Sequence, residues 1–315
     1  MTTLSHAALT DALACGLLGF PLTDFGADGA FSAQPFGDRV RRMTGQGAAA
    51  LFAAGGAGEF FSLARDEYRA VMETAVAACG HRLPLLGAAG GATCDAIDHC
   101  AIAEKAGADG VLLLPPYLAE ASQAGLFAHV AEICRSTSLA VVLYGRANGR
   151  PSPDTLMRLA EACPNLIAYK DGVGAIEDLW AMRAALGGRL AFLNGMPTAE
   201  VYAPAYRAMG VPTYSSAVYN FAPGAAMRFF AAVQGDELST IDAMMRAFFI
   251  PYGRLRARQP GYAVSIVKAG VARAGHGAGA VRPPLSELTE EELRELDRLL
   301  DALSAFEETP HARAV

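Results

Sequence analysis

Eight short apolar runs recur along the chain, at residues 16–20, 48–54, 83–88, 110–114, 139–143, 166–169, 190–193 and 211–214, each closed by a turn or by small residues. They are continuous rather than alternating. Strands of a parallel sheet covered on both faces have this pattern, because neither side of the pleat meets water. Helical spacing lies between them. Leu156, Leu159, Ala160 and Cys163 follow Asp154 three or four residues apart, and Pro164-Asn165 stops that helix. Ile176, Leu179, Trp180, Arg183 and Leu186 repeat the spacing up to Gly187-Gly188, and residues 94–105 behave likewise. Eight strands alternating with helices predict an α/β fold, a (β/α)8 TIM barrel. A doubly wound open sheet is the structural alternative. It usually brings a phosphate-binding glycine loop, and neither G-x-G-x-x-G nor G-x-x-x-x-G-K-[ST] occurs at a strand-to-helix turn.

Past residue 222 the pattern changes. Residues 223–233, 238–249, 262–274 and 289–306 read as helices with no strand between them. The last carries a capping box, Thr289 with Glu292, and a stripe of Leu293, Leu296, Leu300 and Leu303. The expected organisation is a barrel over residues 1–235 carrying the active site, and a helical extension over 236–315.

Composition narrows the function classes. Hydrophobic residues make up 52% and charged residues 18%, enough for a large core with apolar surface left for subunit contacts. A net charge of -6 argues against a nucleic-acid binder. The six cysteines form no C-x-x-C pair and read as reduced thiols of a cytoplasmic protein, with no zinc site or disulfide frame. The six histidines share no spacing, so no metal site is expected. Residues 12–20 are apolar, but no basic residue precedes them and Asp11 interrupts. They fit neither a signal peptide nor a membrane span, and a soluble protein without membrane association is expected.

In a barrel the C-terminal strand ends converge on one site. Those ends are Pro21-Leu22-Thr23, Gly55-Gly56-Ala57-Gly58-Glu59, Pro115-Pro116-Tyr117, Tyr144, Lys170, Gly195 and Ser215-Ser216. Lys170 ends an apolar run, where desolvation lowers an amine's pKa and frees its lone pair for attack on a carbonyl. A surface lysine after an apolar run is the ordinary alternative. Tyr144, on the neighbouring strand, is a phenol placed to move protons. The turn at Gly56 and Ala57 can aim bare backbone N–H groups at a carboxylate. Ser215 and Ser216 are candidates for a distal carboxylate, although one of them filling a turn is an alternative. Arg146 and Arg150 could pair with it bidentately, or serve only the surface. Glu59 reads as ordering its loop.

These pieces resemble a known family, the pyruvate-type class I lyases related to dihydrodipicolinate synthase and N-acetylneuraminate lyase. The resemblance runs from about Phe20 to Pro223. It is carried by Gly55-Gly56-Ala57-Gly58-Glu59-Phe60-Phe61-Ser62-Leu63, Leu114-Pro115-Pro116-Tyr117-Leu118, the Tyr144 strand, Tyr169-Lys170-Asp171-Gly172, and Tyr214-Ser215-Ser216-Ala217 with Asn220 and Pro223. Phe60-Phe61-Ser62-Leu63 and Tyr214-Ser215-Ser216-Ala217 are most similar to the 5-dehydro-4-deoxyglucarate dehydratase subgroup.

The resemblance implies Lys170 as the Schiff-base lysine, Tyr144 as the proton shuttle, and Gly56 and Ala57 as binders of the carboxylate of a small 2-keto acid. Gly195, Ser215 and Ser216 complete the implied substrate site. Tyr117 is an implied relay from a neighbouring subunit of a homo-oligomer, dimer or tetramer; a turn that simply packs is the alternative. The implied reaction is a carbon–oxygen lyase step, decarboxylating dehydration, with no cofactor. Another keto-acid aldolase or synthase of the same superfamily, and an inert keto-acid-binding barrel, are the competing readings. Two positions depart from the family's pattern: Ala57 stands where a threonine is usual, and Gly145 where asparagine often follows the tyrosine.

Overall fold

The computed structural model describes residues 4–116 and 120–307. Eight parallel strands close into a barrel: β1 (Leu17–Gly19), β2 (Ala50–Phe52), β3 (Leu85–Ala89), β4 (Gly110–Leu113), β5 (Ala140–Gly145), β6 (Leu166–Asp171), β7 (Ala191–Asn194) and β8 (Tyr214–Ser216). A helix α1 (His6–Ala14) precedes them. The strands are followed in turn by α2 (Ala33–Met43), α3 (Arg65–Cys79), α4 (Thr93–Ala106), α5 (Gln123–Arg135), α6 (Pro153–Ala162), α7 (Ile176–Leu186), α8 (Ala199–Ala208) and α9 (Pro223–Gln234). Local chemistry sets their ends. Ser122 and Ser152 cap α5 and α6 by accepting from the N–H groups of Gly125 and Thr155. Gly107 ends α4 at φ +90°, where a side chain would be strained.

The continuous apolar runs are explained by two cores. Leu18, Phe20, Ala50, Phe52, Leu86, Leu112, Val142, Ala168 and Leu193 point inward and fill the barrel. Leu17, Leu51, Leu85, Val111, Val141 and Leu143 point outward, beneath the helices. The spacing of residues 12–20 did not foretell α1. This helix packs on β6 and β7 and adds Leu9 and Leu13 to the inner core.

Strand limits differ from the apolar runs in two places. β5 and β6 continue to Gly145 and Asp171, past the end of hydrophobicity, because the ladder pairs Tyr144 with Lys170 and Gly145 with Asp171. The eighth strand begins at Tyr214, where the apolar run 211–214 ends. Pro212 lacks an N–H for the ladder, and Thr213 joins the barrel through its hydroxyl, donated to the Gly16 carbonyl.

The β5–β6 pair also carries a bulge. Val141 aligns with Leu166, but Val142 aligns with Ala168, so Ile167 is an extra residue. Without it the pairing that starts at Val141–Leu166 would put Tyr144 beside Tyr169. With it Tyr144 lies beside Lys170, and both side chains face inward.

The C-terminal helices are α10 (Leu238–Met244), a π turn at Met245–Phe249, α11 (Ile250–Arg256), α12 (Tyr262–Arg273) and α13 (Glu290–Ser304). The helix expected to stop at 249 runs on to 256 as one rod. The Ile250 N–H reaches back to the Met245 carbonyl, and this wider turn leads into Pro251, which has no N–H to donate. The capping box of α13 forms as expected. Phe248, Phe249, Tyr252 and Leu255 belong to the same core as the barrel helices. No helix among the described residues is long and apolar enough to cross a membrane. Cys79, Cys100, Cys134 and Cys163 are buried free thiols; Cys15 and Cys94 are exposed.

Candidate active site

β6 carries Lys170 into the barrel mouth, where it is 5% exposed. Its Nζ lies 4.3 Å from the centroid of the Tyr144 ring and 4.5 Å from that of Phe20. The amine is held below the ordinary lysine range. Burial is the main cause, the Tyr144 phenol opposes it, and the Arg146 guanidinium adds to it. The lysine stem rests on Gly195, where a Cβ would come within 2.7 Å of Lys170 Cγ. No side chain larger than hydrogen fits there while the amine keeps this place.

Tyr144, on β5, donates its hydroxyl proton to the Gly195 carbonyl at 3.0 Å and accepts from Arg146 Nη1 at 3.2 Å. Burial alone would push this phenol up. The Lys170 and Arg146 charges together outweigh burial, so Tyr144 titrates below the ordinary phenol range. A lowered lysine beside a lowered phenol is a pair between which a proton moves easily. Asn194 shapes the loop that offers the Gly195 carbonyl, accepting from the Met196 N–H at 3.0 Å and donating to the Ala199 carbonyl at 3.0 Å.

The turn after β2 supplies backbone donors. The Gly56 and Gly55 carbonyls accept from Glu59 and Phe60, which curls the chain, while the N–H groups of Gly56 and Ala57 meet no acceptor among the described residues. Space beside Gly56 is open: a Cβ there would meet nothing within 4 Å. Glu59 anchors the turn. It sits at φ 56°, buried, with Oε1 2.7 Å from Lys268 Nζ on α12 and Oε2 accepting from the Arg282 N–H at 3.0 Å. The loop-ordering role expected of Glu59 is therefore a clamp between the β2 turn and the C-terminal segment.

The two serines part company. Ser215 is aligned with the inward-facing Leu18 and is half-buried toward the barrel mouth. Ser216 faces outward and donates to Glu200 Oε1 at 2.6 Å. Arg150 forms a surface ion pair with Asp178 at 2.7 Å, whereas Arg146 contacts Tyr144. Tyr117 lies outside the described residues.

Gly145 has a physical reason. A Cβ at this position would lie 2.0 Å from the Tyr169 hydroxyl, so Tyr169 fills the space that an asparagine side chain needs. Ala57 packs its methyl against the core. Three groups escaped the sequence reading. Phe20, which flanks Lys170, reads in the sequence only as the end of the first apolar run. Glu200, a carboxyl 1% exposed and pushed up to about 7 by burial, sits in an ordinary helical first turn. Arg256 lies on a C-terminal helix, remote in sequence from any strand end. Among the described residues no group of three or more His, Cys, Asp or Glu side chains is placed to hold a metal ion.

The chain is similar to known proteins along most of its length. Residues 14–303 match the dihydrodipicolinate synthetase family. A protein from Paracidovorax citrulli named as a probable 5-dehydro-4-deoxyglucarate dehydratase is 53% identical over 288 residues, covering 91% of this chain and 95% of its own. One of the same name from Variovorax paradoxus is 52% identical over 295 residues, covering 94% and 97%. The crystal structure of dihydrodipicolinate synthase from Oceanobacillus iheyensis superposes with a TM-score of 0.87 at 22% identity, over 96% of this chain and 100% of that one. A prophage protein of the dihydrodipicolinic acid synthase family from E. coli K12, solved in complex with pyruvate, gives 0.83 at 25% identity, over 93% and 99%. The chain is a member of the dihydrodipicolinate synthetase family.

Proposed function

We propose that this protein is a Schiff-base lyase that converts 5-dehydro-4-deoxy-D-glucarate to 2,5-dioxopentanoate, water and CO2. The observation that carries the reading is the buried Lys170 amine, packed between Phe20 and Tyr144 at the barrel mouth. The names of the relatives that are half identical over nearly their whole length support the substrate.

The neutral Lys170 amine attacks the ketone, and the carbinolamine loses water to give a protonated imine, with Tyr144 passing the protons. The α-carboxylate rests on the Gly56 and Ala57 N–H groups. The imine acidifies the adjacent CH2, and loss of that proton gives an enamine. The enamine expels the β-hydroxyl as water. The conjugated iminium then draws the electrons of the bond to the distal carboxylate, which leaves as CO2. Protonation and hydrolysis free the product and the amine. The imine is the electron sink, so the chemistry needs no metal or organic cofactor.

In this reading residues 1–235 are the barrel that carries the site, and 236–315 are a C-terminal helical extension. A homo-oligomer is part of the proposal. A groove of about 1300 Å³, lined largely by apolar groups including Phe60, Leu63, Leu114 and Pro115, opens beside Gly56 rather than above Lys170. A second copy seated there would bring its own side chains close to the carboxylate turn. Ile176 and Trp180 of α7 and Tyr202 of α8 are further exposed large hydrophobic residues. A soluble, cytoplasmic enzyme is the setting these features suit.

Incubation with 5-dehydro-4-deoxyglucarate, pyruvate and N-acetylneuraminate in parallel, with product analysis, tests the proposal. Formation of 2,5-dioxopentanoate with one CO2 per turnover is expected from the first alone. Carbon–carbon cleavage of N-acetylneuraminate, or no turnover of any of the three, refutes it.

A further inference from the structure

We propose that Arg256 of α11, together with Arg146 at the barrel mouth, forms a binding subsite for the second carboxylate of a dicarboxylic 2-keto acid. The inference rests on the keto-acid chemistry proposed above for Lys170. Helix α11 crosses the β7–α8 loop: a Cβ at Gly253 would lie 3.9 Å from Thr198 Oγ1. Arg256 follows Gly253 by three residues and Tyr252 by four, so all three share one helix face. That loop is the one whose Gly195 carbonyl holds the Tyr144 hydroxyl, which also accepts from Arg146. The Arg146 guanidinium acts on Arg256 to lower its pKa, and the phenols of Tyr252, Tyr144 and Tyr202 act the other way.

Neither arginine enters an ion pair among the described residues. Half-burial lowers the Arg256 pKa, and the Arg146 charge lowers it further. A carboxylate bound by the two arginines offsets both effects and accepts forked hydrogen bonds. With the ketone at Lys170 and the near carboxylate at Gly56, the far end of a six-carbon dicarboxylate is directed to the opposite side of the mouth. The same contact fixes the bond that breaks when CO2 leaves. Because the carboxylate gives up its charge in that step, Arg256 acts mainly on the bound ground state, and its loss appears in KM rather than kcat.

Borohydride trapping with 2-oxoadipate and with 2-oxobutanoate provides the test. The first carries a distal carboxylate at the substrate's chain length, and the second has none. Wild-type protein is expected to be half-labelled by 2-oxoadipate at a concentration roughly 10–100-fold lower, the range set by a charged hydrogen bond. Arg256→Gln is expected to collapse that preference, and Arg256→Lys to retain part of it. The 2-oxobutanoate value in each variant reports whether the mouth is still folded. An undiminished preference in Arg256→Gln overturns the inference, as does equal labelling of wild type by both acids, and either result leaves the Lys170 chemistry standing. No labelling of wild type by either acid overturns the lysine chemistry and this inference with it.

Discussion

Gly195→Ala is the most demanding single change the site offers. The new methyl would lie 2.7 Å from Lys170 Cγ, 2.8 Å from Cε and 3.1 Å from the Asp171 carbonyl oxygen. The carbonyl is pinned, because it accepts the Gly195 N–H at 2.7 Å. Relief must come from the lysine, whose amine is bounded by the rings of Phe20 and Tyr144. Overpacking of this kind costs about 1–3 kcal/mol. In a chain of this size that is a melting-temperature loss of roughly 2–12 °C, from about 2–4 °C per kcal/mol. Moving the nucleophile by about 1 Å costs on the order of 10²-fold in rate. Gly56→Ala is the stability control, since its methyl meets nothing within 4 Å and is expected to leave melting unchanged or slightly raised. Thermal melting and the rate of imine trapping read the two effects separately. If Gly195→Ala melts with wild type and traps at the wild-type rate, Lys170 is not confined as described.

Three further outcomes follow from the same contacts. Tyr144→Phe keeps the ring beside Lys170 and removes the proton carrier; turnover is expected to slow by roughly 10²–10⁴, with imine formation slowed but borohydride still labelling Lys170 on long incubation, and undiminished turnover would exclude the phenol. The Lys170 pKa is lowered, so the neutral amine gains population as pH rises, and the trapping rate should climb and level off at a pH below 10.5; a rise that continues to 10.5 contradicts the burial effect. Glu200 is pushed from 4.5 to about 7, so the folded state binds the extra proton and stability falls as pH rises from 4.5 through 7. At about 1.4 kcal/mol per unit this amounts to roughly 3 kcal/mol, which Glu200→Gln should recover at pH 8 in urea melts; an unchanged pH slope in that variant refutes the assignment.

Much of the barrel was legible because burial on both faces writes each strand as an unbroken apolar run. The runs end where hydrophobicity ends, however, and hydrogen bonding does not. Lys170 and Asp171 are polar yet belong to β6. The Val141–Val142 register shift, which brings Tyr144 beside Lys170, left no periodic trace, since Ile167 is one more apolar residue among others. Lys170 and Tyr144 could be found because they end strands. Arg256 could not, since a basic residue in the last turn of a helix is the commonest kind of arginine. Only the fold brings α11 over the β7–α8 loop. Nor does a serine pair in the sequence reveal that β8 turns Ser215 inward and Ser216 outward.

The nucleophile is tested most directly by reducing the protein with borohydride in the presence of pyruvate and locating the label by peptide mass. The chain has three lysines, Lys105, Lys170 and Lys268. Lys268 is paired with Glu59, and Lys105 lies in the last turn of α4. The mass should rise by that of pyruvic acid less one oxygen, the label should map to Lys170, and Lys170→Ala and Lys170→Arg should both abolish it together with turnover, since a guanidinium keeps its proton. A label on Lys105 or Lys268, or full activity in Lys170→Ala, would contradict imine catalysis at this site.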